Sequence, residues 1–432
     1  MSVRTMRAAV LGSVLIAVGC GASPDAPASS APVEPARPPS TSPEPSAPTA
    51  SAAPDVWAGI DEEVAALVEP WVDASGVTDK AIGMIVRVEG EGLSTTYAFG
   101  ALERGSTTRS TGAEGWSIGS VSKVLTAYML TAKMGEARLD ESAEAHLPAG
   151  WSVPRGANGE AVTLAHLLTH TSGLAHYPQT LQAGMDAARG LDALVGAWAS
   201  YTRDDLRSDL AAASLGATPG AAYTYSDFGF AVAQAALEEH EGASFATILP
   251  GVFGPMGMLD TLAPETLGTP SRIPIMVGHA GPALAAVPPI TSPVFTGDGY
   301  VVSTAADLGR MLRLFARIDP APSADVSRTV AAMEKPRFAR RTPNGVDVDQ
   351  GLGLGILSGT GFEVYKKNGN AAGTTSAVSY DPARKIAVVV GANGPQLRDA
   401  VNKSGCDVLK AIAKRRGAAF DAAFDGVCTT AF

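Results

Sequence analysis

Apolar and polar residues along the chain follow two periodicities, one typical of helices and one typical of strands. Apolar positions recur at helical spacing over residues 56–72, and β-rich runs follow at 81–88 and 93–99 around a Gly-Glu-Gly turn. Alanine, leucine and helical periodicity then dominate residues 120–246. Near the end come three closely spaced β-rich runs and a last helical pattern, at 362–367, 374–380, 386–390 and 397–415.

Strands at both ends of this region, with helices between them, predict an α+β fold. The short connections between the three late strands indicate an antiparallel meander. We therefore expect one antiparallel sheet, formed by the N- and C-terminal segments and flanked by helices, with a large helical subdomain inserted at about residues 120–290. Residues 56–415 would form this single domain, and residues 416–432 a C-terminal tail.

The first twenty residues have the pattern of an export signal. Two arginines precede an apolar run over residues 8–18, which is about half the ~20 residues that a spanning helix needs. The run ends in Ala17-Val18-Gly19-Cys20, which resembles the lipobox of bacterial lipoproteins, where the cysteine is lipidated and becomes the N-terminus. We interpret residues 1–20 as a lipoprotein signal peptide with Cys20 as the lipidation site. The alternative is an ordinary secretory cleavage with Cys20 incidental.

Residues 21–55 consist almost entirely of proline, alanine and serine. Such a segment cannot bury a core and behaves as an extended, disordered tether. A lipid anchor followed by a tether predicts an exported protein, held at a membrane of the bacterial cell envelope on the periplasmic or outer surface.

Composition excludes several classes of protein. With 46% hydrophobic and 18% charged residues the chain can bury a large core, so wholesale disorder is excluded. A net charge of −10 argues against a nucleic-acid partner. Three cysteines are too few for a disulfide scaffold or a Cys-rich metal site. Cys406 and Cys428 would form a disulfide in an oxidising compartment, with two buried thiols as the alternative.

No cofactor or metal is expected from the motifs. His166 and His170 are four residues apart, but Leu167 stands where the zincin pattern has glutamate, so we interpret both histidines as structural. Phosphate-loop and dinucleotide fingerprints are absent from the sequence.

The strongest catalytic signal is the S-x-x-K motif Ser120-Val121-Ser122-Lys123. Apolar residues follow it at helical spacing, which predicts Ser120 in the first turn of a buried helix and Lys123 one turn along on the same face. The helix dipole would stabilise an anionic Ser120 oxygen. Desolvation would lower the pKa of Lys123 enough for it to act as a base.

A second serine competes for the role of nucleophile. Gly115-Trp116-Ser117-Ile118-Gly119 satisfies the G-x-S-x-G pattern of a nucleophile elbow, which requires an apolar strand directly before it. Residues 109–114 are polar and contain glycine, so we predict Ser117 to be a loop or helix-capping residue.

With these motifs in place, the sequence resembles the serine β-lactamase and penicillin-binding-protein superfamily, in particular its group of class C β-lactamases, DD-carboxypeptidases and family VIII-type esterases. The landmarks occur in the expected order over roughly residues 80 to 395. They are Ile118–Lys123, Leu167–Leu174, Pro219-Gly220, Tyr225-Ser226-Asp227, Pro255–Met258, Val302–Leu308 and Lys367-Asn368-Gly369. The resemblance implies a β-lactamase/transpeptidase-like fold.

The resemblance also implies catalytic roles. Ser120 would attack a carbonyl group and form an acyl-enzyme, while Lys123 and Tyr225 would move protons to and from Ser120 and the leaving group. The backbone N–H groups of Ser120 and Asn370 would form the oxyanion hole. Lys367 would lower the pKa of Tyr225 and attract an anionic substrate.

Three residues of the expected substrate-binding strand and its surroundings bear on specificity. Gly369 would let the substrate backbone lie close to the strand. Asp227 replaces the asparagine usual in the family, so an amide donor becomes a carboxylate that can only accept. The carboxylate would favour a protonated Lys123, and Tyr225 would then be the general base. Asn368 replaces a threonine, which removes a hydroxyl that commonly binds a substrate carboxylate.

These departures weaken a β-lactamase assignment more than they weaken general acyl hydrolysis. We expect a serine hydrolase acting on D-alanyl peptides, amides or small esters, either small molecules or peptidoglycan-derived. The first alternative is a class C-like β-lactamase. The second is a non-catalytic relative that binds peptidoglycan or a partner, but such a module would not need Ser120, Lys123, Tyr225 and Lys367 together.

Overall fold

A computed structural model describes residues 56–76, 80–268, 270–280, 284–341, 347–359, 361–394, 397–418, 420 and 422–429. The chain divides into two units, residues 1–54 and 55–432, and the described residues all belong to the second. The predicted signal peptide, the lipidation site Cys20 and the tether 21–55 lie outside the described residues. Among the described residues, no helix combines the length and apolar composition that crossing a bilayer requires.

The described residues contain twelve α-helices, most of them between the first and last strands. Their bounds are α1 Ile60–Val68, α2 Ser122–Met134, α3 Leu164–Leu168, α4 Gln179–Ala187, α5 Leu191–Ser200, α6 Arg203–Ala212, α7 Asp227–Glu241, α8 Phe245–Phe253, α9 Ala305–Phe315, α10 Ala324–Glu334, α11 Arg398–Arg415 and α12 Ala422–Cys428. Helices α2 to α8 fall within the span predicted for the helical insertion.

Twelve strands are described as well. Their bounds are β1 Gly83–Gly90, β2 Leu93–Gly100, β3 Gly115–Ser117, β4 Gly278–Ala280, β5 Ala285–Val287, β6 Val302–Thr304, β7 Phe338–Arg341, β8 Asp347–Gln350, β9 Gly355–Gly359, β10 Phe362–Ala371, β11 Thr374–Asp381 and β12 Ile386–Asn393. Eight of them form one sheet in the order β2-β1-β12-β11-β10-β9-β8-β7, and β3 pairs with β6 and β4 with β5.

The main sheet joins the two ends of the domain. β1 pairs antiparallel with β12 from Gly83 opposite Asn393 to Gly90 opposite Ile386, and β11 lies between β12 and β10. The predicted α+β fold with an antiparallel sheet from both terminal segments is therefore confirmed. Helix α11 packs on one face of β11 and β12, and α9 packs on β1 and β12 from the other. Because both faces are covered, β12 is buried along its whole length.

Two features near the end of the chain differ from the sequence expectation. Strands β7 to β9 extend the sheet beyond the predicted meander. The sequence did not indicate them, because their short, partly polar segments carry little periodicity. The expected C-terminal tail contains helix α12, whose seven residues are too few for a helical pattern to show. A disulfide between Cys406 of α11 and Cys428 of α12 joins the two helices, with 5.9 Å between the Cα atoms.

Candidate active site

Ser120 lies in a turn of the chain that packs against strand β10. The turn Gly119–Val121 is a 3₁₀ turn, and α2 begins at Ser122, so Ser120 precedes the helix instead of lying in its first turn. Gly119 has a φ of 56°, and a Cβ there would overlap the backbone nitrogen of Asn370. A Cβ on Gly369 would in turn lie 2.6 Å from the nitrogen of Ser120. The two glycines therefore permit a close contact between the backbone of the Ser120 turn and that of β10.

This contact explains why position 369 requires glycine, and the explanation differs from the one that the resemblance implied. The resemblance implied that glycine is needed there for the approach of a substrate backbone. In the structure the close neighbour is the chain's own backbone from Ile118 to Val121. The ladder between β9 and β10 ends at Lys366, so the segment of β10 from Lys367 onward is open to the Ser120 turn on that side.

Lys123 is fully buried and surrounded by acceptors. Its Nζ lies 3.2 Å from Ser120 Oγ, 2.8 Å from Asp227 Oδ1 and 2.9 Å from the carbonyl oxygen of Asp298, and it forms an ion pair with the Asp298 carboxylate. Burial alone would lower the pKa of Lys123, but the two carboxylates outweigh burial and raise it well above its usual value. The expectation that desolvation makes Lys123 a base is therefore wrong, whereas the expectation that Asp227 favours a protonated Lys123 agrees with the structure.

Tyr225 completes the contacts of the nucleophile. Its hydroxyl group donates to Ser120 Oγ at 2.6 Å, and its ring stacks on His170 with 4.3 Å between centroids. Lys123 and Lys367 each place Nζ 5.0 Å from the ring centroid. Burial raises the pKa of Tyr225 against the opposing effect of Lys123. The predicted lowering of this pKa by Lys367 is therefore wrong, and Tyr225 rests as a neutral phenol.

Asp227 is the first residue of helix α7, after the capping residue Ser226, whose Oγ accepts the N–H of Gly229 at 2.9 Å. Besides Lys123, its carboxylate faces His176, whose Nε2 lies 3.4 Å from Oδ2. Burial alone would raise the pKa of Asp227, but Lys123 and His176 hold it below its ordinary range. The charge pair with Lys123 that the sequence predicted for Asp227 is present.

Lys367 and Asn368 are buried on β10 beside this cluster. Burial, Lys123 and Arg340 lower the pKa of Lys367 well below its usual value. Lys367 therefore supplies less positive potential than expected, because a further charge in a dry, already cationic environment is unfavourable. Arg340 of β7 contributes to that environment and lies over the ring of Tyr223, with 4.5 Å from Cζ to the centroid.

Sequence reasoning missed three side chains at the site: Asp298, His176 and Arg340. Asp298 lies 175 residues from Lys123 in the chain. It stands shortly before the recognised segment Val302–Leu308. Its acidic side chain within Thr296–Tyr300, a segment rich in glycine, was the available signal. His176 is half-exposed and stacks on Tyr177, with 3.9 Å between ring centroids.

The other candidates have structural surroundings. Ser117 lies in β3, opposite Val302 of β6, so it is a strand residue and the predicted loop or capping position is wrong. His166 Nδ1 accepts the N–H of Thr163 at 3.2 Å in a capping box that opens α3. His170 is buried, and its Nδ1 accepts the N–H of Ser226 at 3.1 Å.

Comparison with known proteins agrees with this architecture. The sequence model of the family described as Beta-lactamase matches residues 64–405. Because that range is well over half of the 432 residues, the chain belongs to the β-lactamase family, and it is a hydrolase of this serine β-lactamase-related class. The resemblance noted from the motifs is confirmed.

Individual relatives are distant. D-alanyl-D-alanine-carboxypeptidase/endopeptidase AmpH of Escherichia coli K12 is 27% identical over 286 residues, which are 63% of this chain and 69% of that protein. Penicillin-binding protein 4 of Amycolatopsis lactamdurans is 27% identical over 320 residues, or 69% and 77% of the two chains. The crystal structure of a β-lactamase/D-alanine carboxypeptidase from Yersinia pestis, complexed with citrate, matches with a TM-score of 0.64 at 21% identity and covers 83% of this chain and 99% of that one. The last comparison concerns the fold.

Proposed function

We propose that this protein is a serine acyl hydrolase that forms an acyl-enzyme on Ser120 and acts on D-alanyl peptides, amides or small esters. The observation that carries the proposal is the convergence of two groups on one oxygen, since Tyr225 Oη lies 2.6 Å and Lys123 Nζ 3.2 Å from Ser120 Oγ. A nucleophile within hydrogen-bonding reach of a proton carrier is the arrangement that acyl transfer requires.

Tyr225 is the proton carrier in this proposal, and Lys123 is the electrostatic group. Ser120 Oγ bonds to the carbonyl carbon, and the carbon–oxygen π pair moves onto the carbonyl oxygen. The proton of Ser120 passes to Tyr225, which as a neutral phenol accepts it only while its own hydroxyl proton moves on towards the leaving group. As that pair returns, the bond to the leaving group breaks and Tyr225 supplies the proton that the leaving group takes. Because the pKa of Lys123 is raised, it remains an ammonium ion and stabilises the negative charge that develops on the oxygens of Ser120 and Tyr225 while the protons move.

The carbonyl oxygen would be held by the backbone N–H groups of Ser120 and Asn370. Both belong to the segments that the glycines at 119 and 369 allow to touch. Donors of this kind are worth about 3 kcal/mol each where they have been removed. Water then attacks the acyl-enzyme by the same route, with Tyr225 taking its proton and returning one to Ser120.

An anionic substrate group fits the cationic side of the site. Lys367 and Arg340 lie on that side, on β10 and β7, and a bound carboxylate would raise the pKa of Lys367 and restore its charge. The name of the relative AmpH, a D-alanyl-D-alanine-carboxypeptidase, supports a peptide that ends in a free D-alanine carboxylate. Asn368 stands where a threonine hydroxyl commonly binds such a carboxylate, so Lys367 and Arg340 would supply the contacts to it.

Covalent labelling tests the proposal. The full-length protein is treated with a fluorophosphonate or a penicillin probe, digested and analysed by mass spectrometry, beside the variants Ser120→Ala and Ser117→Ala. We expect an adduct on Ser120 that Ser120→Ala abolishes and Ser117→Ala retains. An adduct on Ser117 would overturn the assignment, and no adduct at all would support the non-catalytic binder.

A substrate panel then separates the two hydrolase alternatives. Nitrocefin, p-nitrophenyl acetate and a peptide ending in D-Ala-D-Ala report β-lactamase, esterase and carboxypeptidase activity respectively. Turnover of the peptide or the ester with slow release of the penicillin adduct supports the proposal. Rapid nitrocefin turnover would instead assign a class C-like β-lactamase.

Export and anchoring form a separate part of the proposal. Residues 1–20 would direct export and Cys20 would carry the lipid, followed by the tether 21–55. The mass of the N-terminal peptide from the bacterial membrane fraction tests this, with Cys20→Ser as the control. An unmodified cysteine in a soluble, cleaved protein would refute lipidation.

A further inference from the structure

Lys123 contacts two carboxyl groups instead of one. Asp227 Oδ1 lies 2.8 Å from Nζ, the Asp298 carboxylate forms a second ion pair with the same nitrogen, and the carbonyl oxygen of Asp298 accepts from it at 2.9 Å. All three side chains are at least nine-tenths buried. Both carboxyl groups therefore lie against the same ammonium nitrogen.

The segment that carries Asp298 is held from several sides. Gln234 Oε1 of α7 accepts the N–H of Gly297 at 2.8 Å, and Thr126 Oγ1 of α2 donates to the carbonyl oxygen of Gly297 at 2.6 Å. Ser122 Oγ accepts the N–H of Val301 at 3.2 Å. The position of the Asp298 carboxyl group beneath Ser120 is therefore built into the packing of α2 and α7.

The charges of this cluster do not balance if both carboxyl groups are ionised. One ammonium and two carboxylates leave an uncompensated negative charge in the buried part of the site, because His176, the other group beside Asp227, is half-exposed. Burial and the neighbouring Asp227 carboxylate raise the pKa of Asp298 well above its ordinary value, while Lys123 and His176 hold that of Asp227 low. Other charged or titratable groups face the pair from the surrounding elements: Tyr225, Tyr177, Tyr300, His170 and Lys367.

We propose that Asp298 is a positioning residue that shares one proton with Asp227, so that the two carboxyl groups carry a single negative charge and either alone can hold Lys123 as an ammonium ion beside Ser120. The pair acts on Ser120 through Lys123. It follows that losing one carboxylate shifts the proton instead of removing the charge, whereas losing both leaves a buried ammonium ion without its counter-charge.

Infrared spectroscopy of the full-length protein in D₂O at neutral pH tests the shared proton without reference to catalysis. We expect the carbonyl-stretching band of a buried protonated carboxyl group in the wild type, and its loss in both Asp227→Asn and Asp298→Asn, since the remaining carboxyl group ionises beside Lys123. Asp209→Asn is the matched control, because Asp209 is a buried carboxyl group in α6 that accepts from Thr180 and Tyr201. It should leave the band unchanged.

Labelling of Ser120 by a fluorophosphonate provides the kinetic test, and this part rests on the proposed function. We expect each single variant to keep a rate within about five-fold of the wild type, and Asp227→Asn/Asp298→Asn to lose on the order of 100-fold or more, because a buried charge then has no partner. Additive losses, or a band that survives in Asp298→Asn, would overturn the shared proton. Absence of wild-type labelling would refute the proposed function and leave the infrared result to decide this one.

Discussion

Lys366 is a buried lysine outside the proposed chemistry, and its surroundings allow a direct prediction about stability. It lies on β10 next to Lys367 but is only 2% exposed, and its Nζ donates to the carbonyl oxygen of Cys428 and lies 4.0 Å from Cys406 Sγ. Burial lowers the pKa of Lys366 from 10.5 to about 7. We therefore expect the substitution Lys366→Met to stabilise the protein at neutral pH.

The magnitude follows from the linkage between protonation and folding. Between pH 7 and pH 10 the unfolded chain keeps a proton on Lys366 that the folded chain has released, so the free energy of unfolding rises with pH. The difference between 10.5 and about 7 corresponds to roughly 5 kcal/mol. Methionine forgoes the hydrogen bond to Cys428, worth about 1 kcal/mol. The net gain of Lys366→Met should be roughly 3 to 4 kcal/mol at pH 7 and close to zero at pH 10.

Urea unfolding at several pH values between 7 and 10 measures this effect. The difference between wild type and Lys366→Met isolates this lysine from other groups that titrate in the same range. Lys403→Met is the matched control, because Lys403 is half-exposed and pairs with Asp407 at the surface of α11. Parallel curves for wild type and Lys366→Met, with no gain at pH 7, would refute the argument that this lysine is neutral in the folded protein.

Three further predictions concern the backbone contact, the disulfide and substrate charge. Gly119→Ala should slow Ser120 labelling at least about 100-fold, since φ is 56° and a Cβ would overlap β10, whereas Gly135→Ala, with φ 80° and open space around it, should not. Replacing Cys406 and Cys428 by serine should cost about 3 kcal/mol in urea unfolding, because the bond closes a loop of 22 residues, and reduction should then change nothing further. Binding of a carboxylate ligand should take up a proton at Lys367, measured by calorimetry in buffers of different ionisation enthalpy; equal heats would contradict it.

The parts of the fold and site that sequence could predict are those with local patterns. A continuous apolar run marked β12 and a β-rich run marked β11. The helical spacing after Gly119 placed Ser120 and Lys123 three residues apart on one side of the chain. An i, i+3 relation needs no tertiary information, because helix geometry alone brings the side chains together. Tyr225 was found only through the resemblance, since nothing in its local sequence connects it with Ser120.

The remainder depends on long-range contacts. Asp298 meets Lys123 across 175 residues, and Arg340 reaches the site from a strand with little periodicity. The pKa of Lys123 illustrates the consequence, because sequence supplied the effect of burial and the opposing effect of Asp227, but not the second carboxyl group, that of Asp298.

Three lysines are buried in the part of the chain that the structure describes, and the same physics gives them different outcomes. Lys123 has two carboxyl groups in contact with Nζ, and their attraction exceeds the cost of burial, so the ammonium form prevails. For Lys366 burial is the dominant influence, and for Lys367 burial is reinforced by the charges of Lys123 and Arg340, so both pKa values fall. Lys123 is therefore a permanent ammonium ion beneath the nucleophile. A second cation becomes available on β10 only when a substrate brings the negative charge that stabilises it, which ties the electrostatics of the site to the charge of what it binds.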